Sequence, residues 1–313
     1  MKEELIVSGR MNHLIDPQLQ IWHWHIPLYL FLGGLAAGIL FFAALNTILG
    51  KEEKYPTAVK IAPFITPFLL IIGLIALFLD LNHKLFFWRL YTTIRIESPM
   101  SWGAWTLMVV TPLSLIWCAV NIKEIFPKME WKYQFLKDLD AFFRRNLIFI
   151  SWLLLIFSLI LGVYTGILFS AFNARPLWNT SILGPLFLTS GLSTGAAAIV
   201  LLSKNHNERN HFARIDLMLI GIEIFLIIHM FMGFLASTQV HIEAAQLFLG
   251  GPYTTPFWLF VFTLGLVFPA TLEILELRGF KLPYWIAPVL VLFGGLLFRF
   301  IIAYAGQVSR WLY

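Results

Sequence analysis

The sequence predicts an all-α membrane protein with eight transmembrane helices in two four-helix bundles. Of the 313 residues, 59% are hydrophobic and only 12% are charged, and the mean hydropathy is +0.80. Soluble domains carry about 25% charged residues. Eight segments also reach the ~20 apolar residues that a helix needs to cross a bilayer. The two halves of the chain share short patterns in the same order.

The predicted spans follow one another with mostly short connections. They cover residues 26–48, 61–81, 103–122, 147–169, 182–203, 215–236, 256–275 and 284–305. The first apolar stretch is as long as a full span and no small-residue cleavage site follows it, so we interpret it as a membrane helix and not as a signal peptide. The longer connection 123–146 is basic and partly amphipathic, which predicts a helix on the membrane surface.

The distribution of basic residues predicts the orientation. Fourteen of the 22 Lys and Arg residues lie in the connections after spans 1, 3, 5 and 7. Seven lie in the two tails and the other connections, and Arg299 lies within span 8. Cytoplasmic connections are enriched in Lys and Arg. We therefore expect a multi-pass protein with both termini on the outer side, which in a prokaryotic inner (cytoplasmic) membrane is the periplasmic side.

A parallel repeat of four plus four helices is a further prediction. FLGGLAAG at 31–38 resembles TSGLSTG at 189–195, and the same offset aligns Ser-Pro at 98–99 with Thr-Pro at 255–256. The alternative is that polytopic proteins reuse Gly, Leu and Phe. The expected organisation is an outer-face segment 1–25, a first bundle 26–169 with the functional site, a second bundle 182–305 and a tail 306–313.

The composition excludes several kinds of site. The single cysteine, Cys118, excludes an internal disulfide, and also an iron–sulfur cluster or a thiolate zinc site held by this chain alone. A haem held by two histidines is not expected, because the spans contain only His229, with His25 at a boundary. The net charge of +5 does not indicate nucleic acid binding, because the basic residues sit in short connections.

Polar residues within or at the ends of the spans are few, and such residues are usually functional. The expected orientation puts most of them toward the outer face, with Glu223 nearer the middle and Glu273 near the cytoplasmic end. Each also has a structural alternative. Trp22 would be a residue of the interfacial aromatic belt, and His229 a packing residue. Arg299 would extend its charged group outward to the interface, and Glu273 would be a charge at the interface. The set on the outer side comprises Trp22, His25, Tyr29, Asp80, His83, Tyr164, His229 and Arg299.

This collection of groups fits a quinone site. Such a site needs an apolar slot for the isoprenoid tail, hydrogen-bond donors at two carbonyls, and a base that takes protons as quinol is oxidised. Tyr29, in the stretch IWHWHIPLYLFLGGLAAG, supplies a donor, and Asp80, in LFLDLNH, supplies a carboxylate.

The chain also resembles the NrfD-type membrane subunits of the polysulfide reductase class. The matching pieces run in order along nearly the whole chain. They are WHWHIPLYLFLGGLAAG at 22–38, LDLNHKLFFWRL at 79–90, SPMSWGAW at 98–105, LGVYTG at 161–166, ARPLWN at 174–179, FLTSGLSTGAA at 187–197 and RFIIAYAGQ at 299–307.

The resemblance implies a quinol-oxidising or quinone-reducing membrane anchor, with menaquinone as substrate. It implies a ferredoxin-like iron–sulfur partner with several clusters, and a molybdopterin catalytic subunit or a multihaem cytochrome. Carried over by position, the resemblance implies that Tyr29 and Tyr164 bind the quinone head, with His25 and Trp22 beside them. It implies that Asp80 is the catalytic carboxylate that handles the proton. Glu223, His229, Arg299 and His83 are the residues expected for a proton path or for structural polar contacts.

The sequence departs from one branch of the family at two positions. That branch has histidine at Tyr29 and asparagine at Ile26. A phenol donates a hydrogen bond but is a far weaker base than imidazole, and Ile26 donates none. His25 or the Asn82–His83 pair is expected to compensate.

Two other classes of protein fit parts of the sequence. A secondary transporter or ion-conducting protein would suit the repeat and the intramembrane charges, but no span is clearly interrupted by Gly and Pro in both halves. A purely structural anchor would use its polar groups only to satisfy one another. Bound quinone would separate the quinol subunit from both. The resemblance leaves the terminal substrate and the direction of electron flow open.

Overall fold

A computed structural model of the protein describes residues 22–128, 131 and 133–309. The described residues form helices and no strands, and eight of the helices are long and apolar enough to cross a membrane. They are α1 (His25–Ile48), α2 (Thr57–Asp80), α3 (Pro99–Val120), α4 (Leu147–Ser170), α5 (Leu183–Leu202), α6 (His206–Leu235), α7 (Pro256–Leu277) and α8 (Ile286–Val308). The predicted all-α membrane fold is confirmed. Of the predicted end segments 1–25 and 306–313, residues 1–21 and 310–313 lie outside the described residues.

The helices pack in a pattern that repeats between the two halves. Helix α1 packs against α2 and α4, and α3 packs against α4; in the second half α5 packs against α6 and α8, and α7 packs against α8. A parallel repeat would lead us to expect this arrangement of helix contacts. The repeat and the exact boundaries of the two bundles stay predictions.

Helices α1 and α5 lie at the centre of the fold, and glycines let their backbones touch. A Cβ atom on Gly38 would lie 2.1 Å from the carbonyl oxygen of Gly191, and one on Gly195 would lie 2.7 Å from the Cα of Gly38. Small residues allow this close approach between membrane helices, where van der Waals packing drives association. The matching GLAAG and GLSTG patterns therefore form the seam between the two halves.

Two of the membrane helices contain segments that are not α-helical. Helix α2 begins with a π-helical turn at Thr57–Ile61 and a 3₁₀ turn at Ala62–Ile65, before the α-helix Thr66–Asp80. Helix α7 is π-helical over Pro256–Val267.

The connection between α3 and α4 contains the predicted surface helix. It spans Gln134–Arg145 and buries none of its residues. Arg144 on this helix forms an ion pair with Asp140 at 3.0 Å and donates a hydrogen bond to the carbonyl of Val120 at the end of α3. The hydrogen bond to Val120 fixes the surface helix against the end of the first bundle, whereas the ion pair lies within the surface helix.

Candidate functional site

A cavity of about 210 Å³ lies at one end of the first four helices. The N-terminal ends of α1 and α3 and the C-terminal ends of α2 and α4 meet there, as the alternating direction of the spans requires. Most of its wall is apolar. The lining residues are Trp22, Ile26, Tyr29, Leu77, Asp80, Leu81, Leu90, Tyr91, Met100, Ala104, Leu107, Tyr164 and Leu168.

Two tyrosines from different helices meet in this cavity. The side chains of Tyr29 and Tyr164 are 3% and 7% exposed, and the two phenols are electrostatic neighbours. The Tyr29 hydroxyl is buried, and the Tyr164 phenol is its polar neighbour, but the two make no hydrogen bond of good geometry among the described residues. An unpaired buried hydroxyl costs about 1–3 kcal/mol. The cavity therefore presents a polar atom that a ligand could satisfy.

A glycine on the facing helix α3 makes room for one of the two rings. A Cβ atom on Gly103 of α3 would lie 1.9 Å from Cζ of Tyr164. Only a glycine at position 103 therefore allows the Tyr164 ring to lie where it does. A Cβ atom on Gly73 of α2 would lie 3.4 Å from Cδ2 of Tyr29, which is ordinary contact. The position of the Tyr164 phenol thus depends directly on Gly103.

His25 and Asp80 lie together at the end of α1 and α2 on this side. His25 Nδ1 is 3.5 Å from Asp80 Oδ1, and both side chains are partly buried. Asp80 is the last residue of its helix. A carboxylate there opposes the helix macrodipole, so helix stability does not explain its presence. The pair gives the cavity a base and a neighbouring group that can share or pass on a proton.

Trp22 is a structural residue of the cavity wall and not a solvated belt residue. Its side chain is 8% exposed, and its ring packs against Phe169, Phe172 and Trp178. Its backbone N–H donates to Gln307 Oε1 at 2.9 Å, and Gln307 Nε2 donates to its carbonyl at 3.0 Å. This contact ties the start of α1 to the end of α8.

The connection between α2 and α3 closes the cavity and adds a third phenol. Leu81, Leu90 and Tyr91 line the cavity from this connection. Partial burial raises the pKa of Tyr91 above its ordinary value, which itself lies well above neutral pH; the phenol is protonated and can donate a hydrogen bond. Sequence reasoning missed Tyr91, because a tyrosine outside the spans carries no periodic or depth signal.

An apolar groove of about 300 Å³ adjoins the cavity. It shares Leu77, Leu81, Leu90 and Tyr91 with the cavity, and it extends along α2 as far as Ile71. Pockets for drug-sized ligands measure about 300–1,000 Å³. The cavity alone would hold a ring, and the groove supplies an apolar path for an isoprenoid tail attached to it.

His83 lies outside the cavity, in a more open pocket of about 480 Å³. That pocket also contains Asn82, Arg89 and Arg95, and it shares Leu81, Leu90 and Met100 with the cavity. The structure therefore brings His25, and not the Asn82–His83 pair, next to Asp80.

The other predicted polar residues lie in the second half of the chain. Glu223 and Arg299 are 2% and 0% exposed and interact with each other in the interior of α5–α8. His229 is on the exposed side of α6 and stacks on Phe225. The expectation that Glu273 is an interfacial charge is wrong, because its side chain is 2% exposed. Asp216, also fully buried, was missed.

These observations define an integral membrane protein with a mostly apolar cavity lined by three phenols and the Asp80 carboxylate, with His25 next to that carboxylate. The pattern of the family described as polysulphide reductase, NrfD matches residues 12–309. The protein belongs to this family, which confirms the resemblance.

Individual relatives agree with this assignment over most of their length. The protein is 32% identical to the C subunit of polysulfide reductase from Wolinella succinogenes over 305 residues, covering 92% of its own length and 94% of the relative. It is 30% identical to protein NrfD of Escherichia coli, covering 92% and 96%. It is 24% identical to the Hdr-like menaquinol oxidoreductase integral membrane subunit of Archaeoglobus fulgidus, covering 90% and 69%. The protein is accordingly a membrane anchor of a respiratory oxidoreductase complex, and it works with partner oxidoreductase subunits.

Proposed function

We propose that this protein is the quinol-oxidising subunit of its complex and that menaquinol binds in the cavity at the end of α1–α4. The observation that supports this proposal is the cavity itself, whose lining combines Tyr29 and Tyr164 with Asp80, and Asp80 Oδ1 lies 3.5 Å from His25 Nδ1. The name of the archaeal relative, a menaquinol oxidoreductase subunit, supports the choice of substrate.

The residues of the cavity have different roles in the proposed quinol oxidation. Tyr29 and Tyr164 donate hydrogen bonds to the oxygen atoms of the quinone head, and Ile26 and Leu107 enclose the ring. The isoprenoid tail leaves through the groove along α2. Oxidation of the quinol releases two protons and two electrons. Asp80 accepts a proton from a quinol hydroxyl, and His25, 3.5 Å away, takes it to the rim.

The electrons released by the quinol pass to a partner subunit that carries redox centres. We propose that this partner is a ferredoxin-like subunit with several iron–sulfur clusters, and that a molybdopterin catalytic subunit or a multihaem cytochrome completes the complex. The connection between α2 and α3 supports a docking site above the cavity. Leu85, Ile94 and Ile96 in it are 87%, 72% and 70% exposed, with Arg89 and Arg95 among them.

The basic residues support an outer, periplasmic position for the site in a prokaryotic inner membrane. The cavity lies at the end of the bundle where α1 begins, opposite the connections that carry most of the Lys and Arg residues. With quinol oxidised and protons released on that side, the site itself moves no net charge across the membrane.

Reduction of the partner's clusters by quinol tests the proposed function. The purified complex would be mixed anaerobically with a reduced short-chain menaquinone analogue, and cluster reduction followed by electron paramagnetic resonance. We expect reduction in the wild type and its loss in Ala104→Phe, which fills the cavity. Cluster reduction that is unchanged by Ala104→Phe would place the quinol site elsewhere.

A secondary transporter is the second candidate function. The observation that favours it is the set of buried charges within α5–α8, since such residues often mark ion pathways. A purified protein without quinone and without redox partners would favour this alternative.

A further inference from the structure

A group of basic side chains lies where the end of α1 meets the first turns of α6, at the end of α1 opposite the quinone cavity. Its centre is His211 on α6. Three cations are electrostatic neighbours of this histidine, and these neighbours include no acidic group of the described residues. The cations are Lys51 and Lys54, from the connection after α1, and Arg214 on α6. We call these three residues and His211 the basic group.

Aromatic packing fixes the position of the basic group. The rings of His211 and Tyr55 stack, with centroids 4.3 Å apart and an angle of 7° between their planes. Lys54 Nζ lies 5.4 Å from the centroid of the Tyr55 ring, within the range of a cation–π contact. Tyr55 is 4% exposed, and its ring packs edge-on against Phe212. His211 and Lys54 are therefore held against a buried aromatic ring.

Lys60, close to the basic group in the chain, shows how a structural cation is paired in this fold. Its Nζ lies 2.7 Å from Glu53 Oε1 and 3.5 Å from Glu124 Oε1. These ion pairs tie the start of α2 to the connection after α3. The three cations around His211 form no ion pair with any described residue. Pairing within the chain therefore does not account for their position.

The basic group lies at the level of the lipid headgroups. Helix α6 has 30 residues, more than the ~20 that cross the hydrocarbon core. Its first turns are polar, and its apolar part begins at Ile215, directly after Arg214. Lys51 follows closely on the end of α1 at Ile48. Both helices therefore leave the hydrocarbon core at the basic group.

Membrane orientation alone does not explain why these cations converge. An excess of Lys and Arg in the connections on one side sets the orientation, and it does so wherever in those connections the residues lie. Here cations from two separate connections surround one histidine. Their mutual repulsion disfavours this arrangement unless a negative charge lies among them. The basic group therefore matches an anionic ligand.

An exposed apolar stripe continues from the basic group along α6. Met218, Ile222 and Phe225 follow Arg214 at helical spacing, and they are 59%, 40% and 60% exposed. In a membrane this stripe faces the acyl chains of the lipids. A phospholipid has the same order of groups, because its phosphate lies at the interface and its chains extend into the core. The stripe therefore favours a lipid over a soluble anion.

We propose that the basic group binds one anionic phospholipid of the cytoplasmic leaflet, with the phosphate among Lys51, Lys54 and Arg214 and an acyl chain along the stripe of α6. Basic pockets between transmembrane helices on the cytoplasmic side bind anionic headgroups in this way. Because α1 and α6 belong to different halves of the chain, the bound lipid links the two halves. The choice of leaflet rests on the orientation proposed above, whereas the binding depends neither on that orientation nor on quinol oxidation.

The lipid retained by the purified complex tests the site. The complex would be washed extensively in mild detergent, and the phospholipid that remains would be identified and quantified by mass spectrometry. We expect an anionic phospholipid to be retained in the wild type and lost in the double variant Lys54→Gln/Arg214→Gln. The matched control is Lys204→Gln/Lys281→Gln, which removes two exposed cations that are not electrostatic neighbours of His211. Equal retention in the two double variants would overturn the proposal.

Titration of the delipidated complex measures the affinity and identifies the chemistry that is recognised. The probes are short-chain phosphatidylglycerol, phosphatidylcholine with the same chains, and glycerol phosphate, with binding followed by microscale thermophoresis. We expect phosphatidylglycerol to bind the wild type most tightly, and about 30-fold more weakly to bind Lys54→Gln/Arg214→Gln, since each Lys or Arg near an anionic lipid contributes about fivefold. Equal affinity for phosphatidylcholine would overturn the role of charge. Equal affinity for glycerol phosphate would overturn the lipid in favour of a soluble anion.

A second variant keeps the test decisive if a change on α6 prevents assembly. Lys51→Gln/Lys54→Gln removes two of the three cations and leaves α6 intact. We expect it to lower the affinity for phosphatidylglycerol by a similar factor. An assembled Lys51→Gln/Lys54→Gln complex that binds this lipid as tightly as the wild type would overturn the proposal.

Discussion

His25 Nδ1 lies 3.5 Å from Asp80 Oδ1, so the first residue of α1 and the last residue of α2 meet at the cavity. An acidic residue at a helix C-terminus is disfavoured by about 0.3–1 kcal/mol relative to a neutral one. The position therefore opposes local stability, which supports a role in proton transfer.

Replacing Asp80 with Asn should remove the proton acceptor and keep the shape of the site. We expect quinol oxidation to fall about 100-fold or more, the usual effect of losing a positioned base, with assembly of the complex unchanged. Steady-state oxidation of a menaquinol analogue and native gel electrophoresis would measure the two properties. Glu97→Gln, an exposed acid in the connection that follows α2, is the control; full activity in Asp80→Asn would remove Asp80 from the mechanism.

Replacing Tyr164 with Phe removes one donor to the quinone head. The expected loss is about 1–3 kcal/mol of binding free energy, or about 5- to 150-fold in Kd, because the quinone oxygen loses its partner. Titration of a quinone analogue by fluorescence quenching measures it. Tyr304→Phe, on α8 and 36% exposed, is the control, and equal affinities in both variants would exclude Tyr164 from the site.

Replacing Gly103 with Ala should act on the quinone site through Tyr164. The new Cβ would lie 1.9 Å from Cζ of Tyr164, so the ring must move while the backbone stays. We expect weaker quinone binding that adds little to the effect of Tyr164→Phe in the double variant. Gly221→Ala, with no atom within 4 Å of the new Cβ, is the control. Full additivity of the two changes would show that Gly103 acts by another route.

Replacing Gly38 with Ala should separate the two central helices. The added Cβ would lie 2.1 Å from the carbonyl oxygen of Gly191. Because this oxygen belongs to the backbone, it cannot move aside as a flexible side chain could. We expect a loss of about 1–3 kcal/mol in stability, typical of overpacking. A thermal unfolding curve in detergent would detect it as a lower Tm. Gly33→Ala, where the added atom meets nothing within 4 Å, should be neutral, and an unchanged Tm in Gly38→Ala would contradict the seam.

The spans could be predicted from hydropathy because an apolar run of this length has few other solutions in a membrane protein. The start of α6 could not be predicted from hydropathy. The predicted span begins at residue 215, whereas the helix begins at His206. Its first turns, HNERNHFAR, are polar and carry no apolar signal. The short prediction also placed Asp216 at a boundary, although it is buried in the middle of the bundle.

The candidate site was only partly predictable for a related reason. The depth of a residue in the membrane follows from counting residues along its span. This count predicted the same depth for Tyr29, Asp80 and Tyr164. Which side of a helix faces the interior depends on the packing of all eight helices. His229 therefore turned out exposed and Glu273 buried, and Tyr91 and Met100, both outside the predicted spans, also line the cavity.

The most direct test of the central claim is the quinone content of the gently purified complex, measured by extraction and mass spectrometry. Wild type would be compared with Ala104→Phe, which fills the cavity, and with Ala270→Phe on α7 as the control. The account predicts close to one menaquinone per copy of this subunit in the wild type and the control, and its loss in Ala104→Phe. A wild-type complex without quinone, or quinone retained in Ala104→Phe, would contradict it.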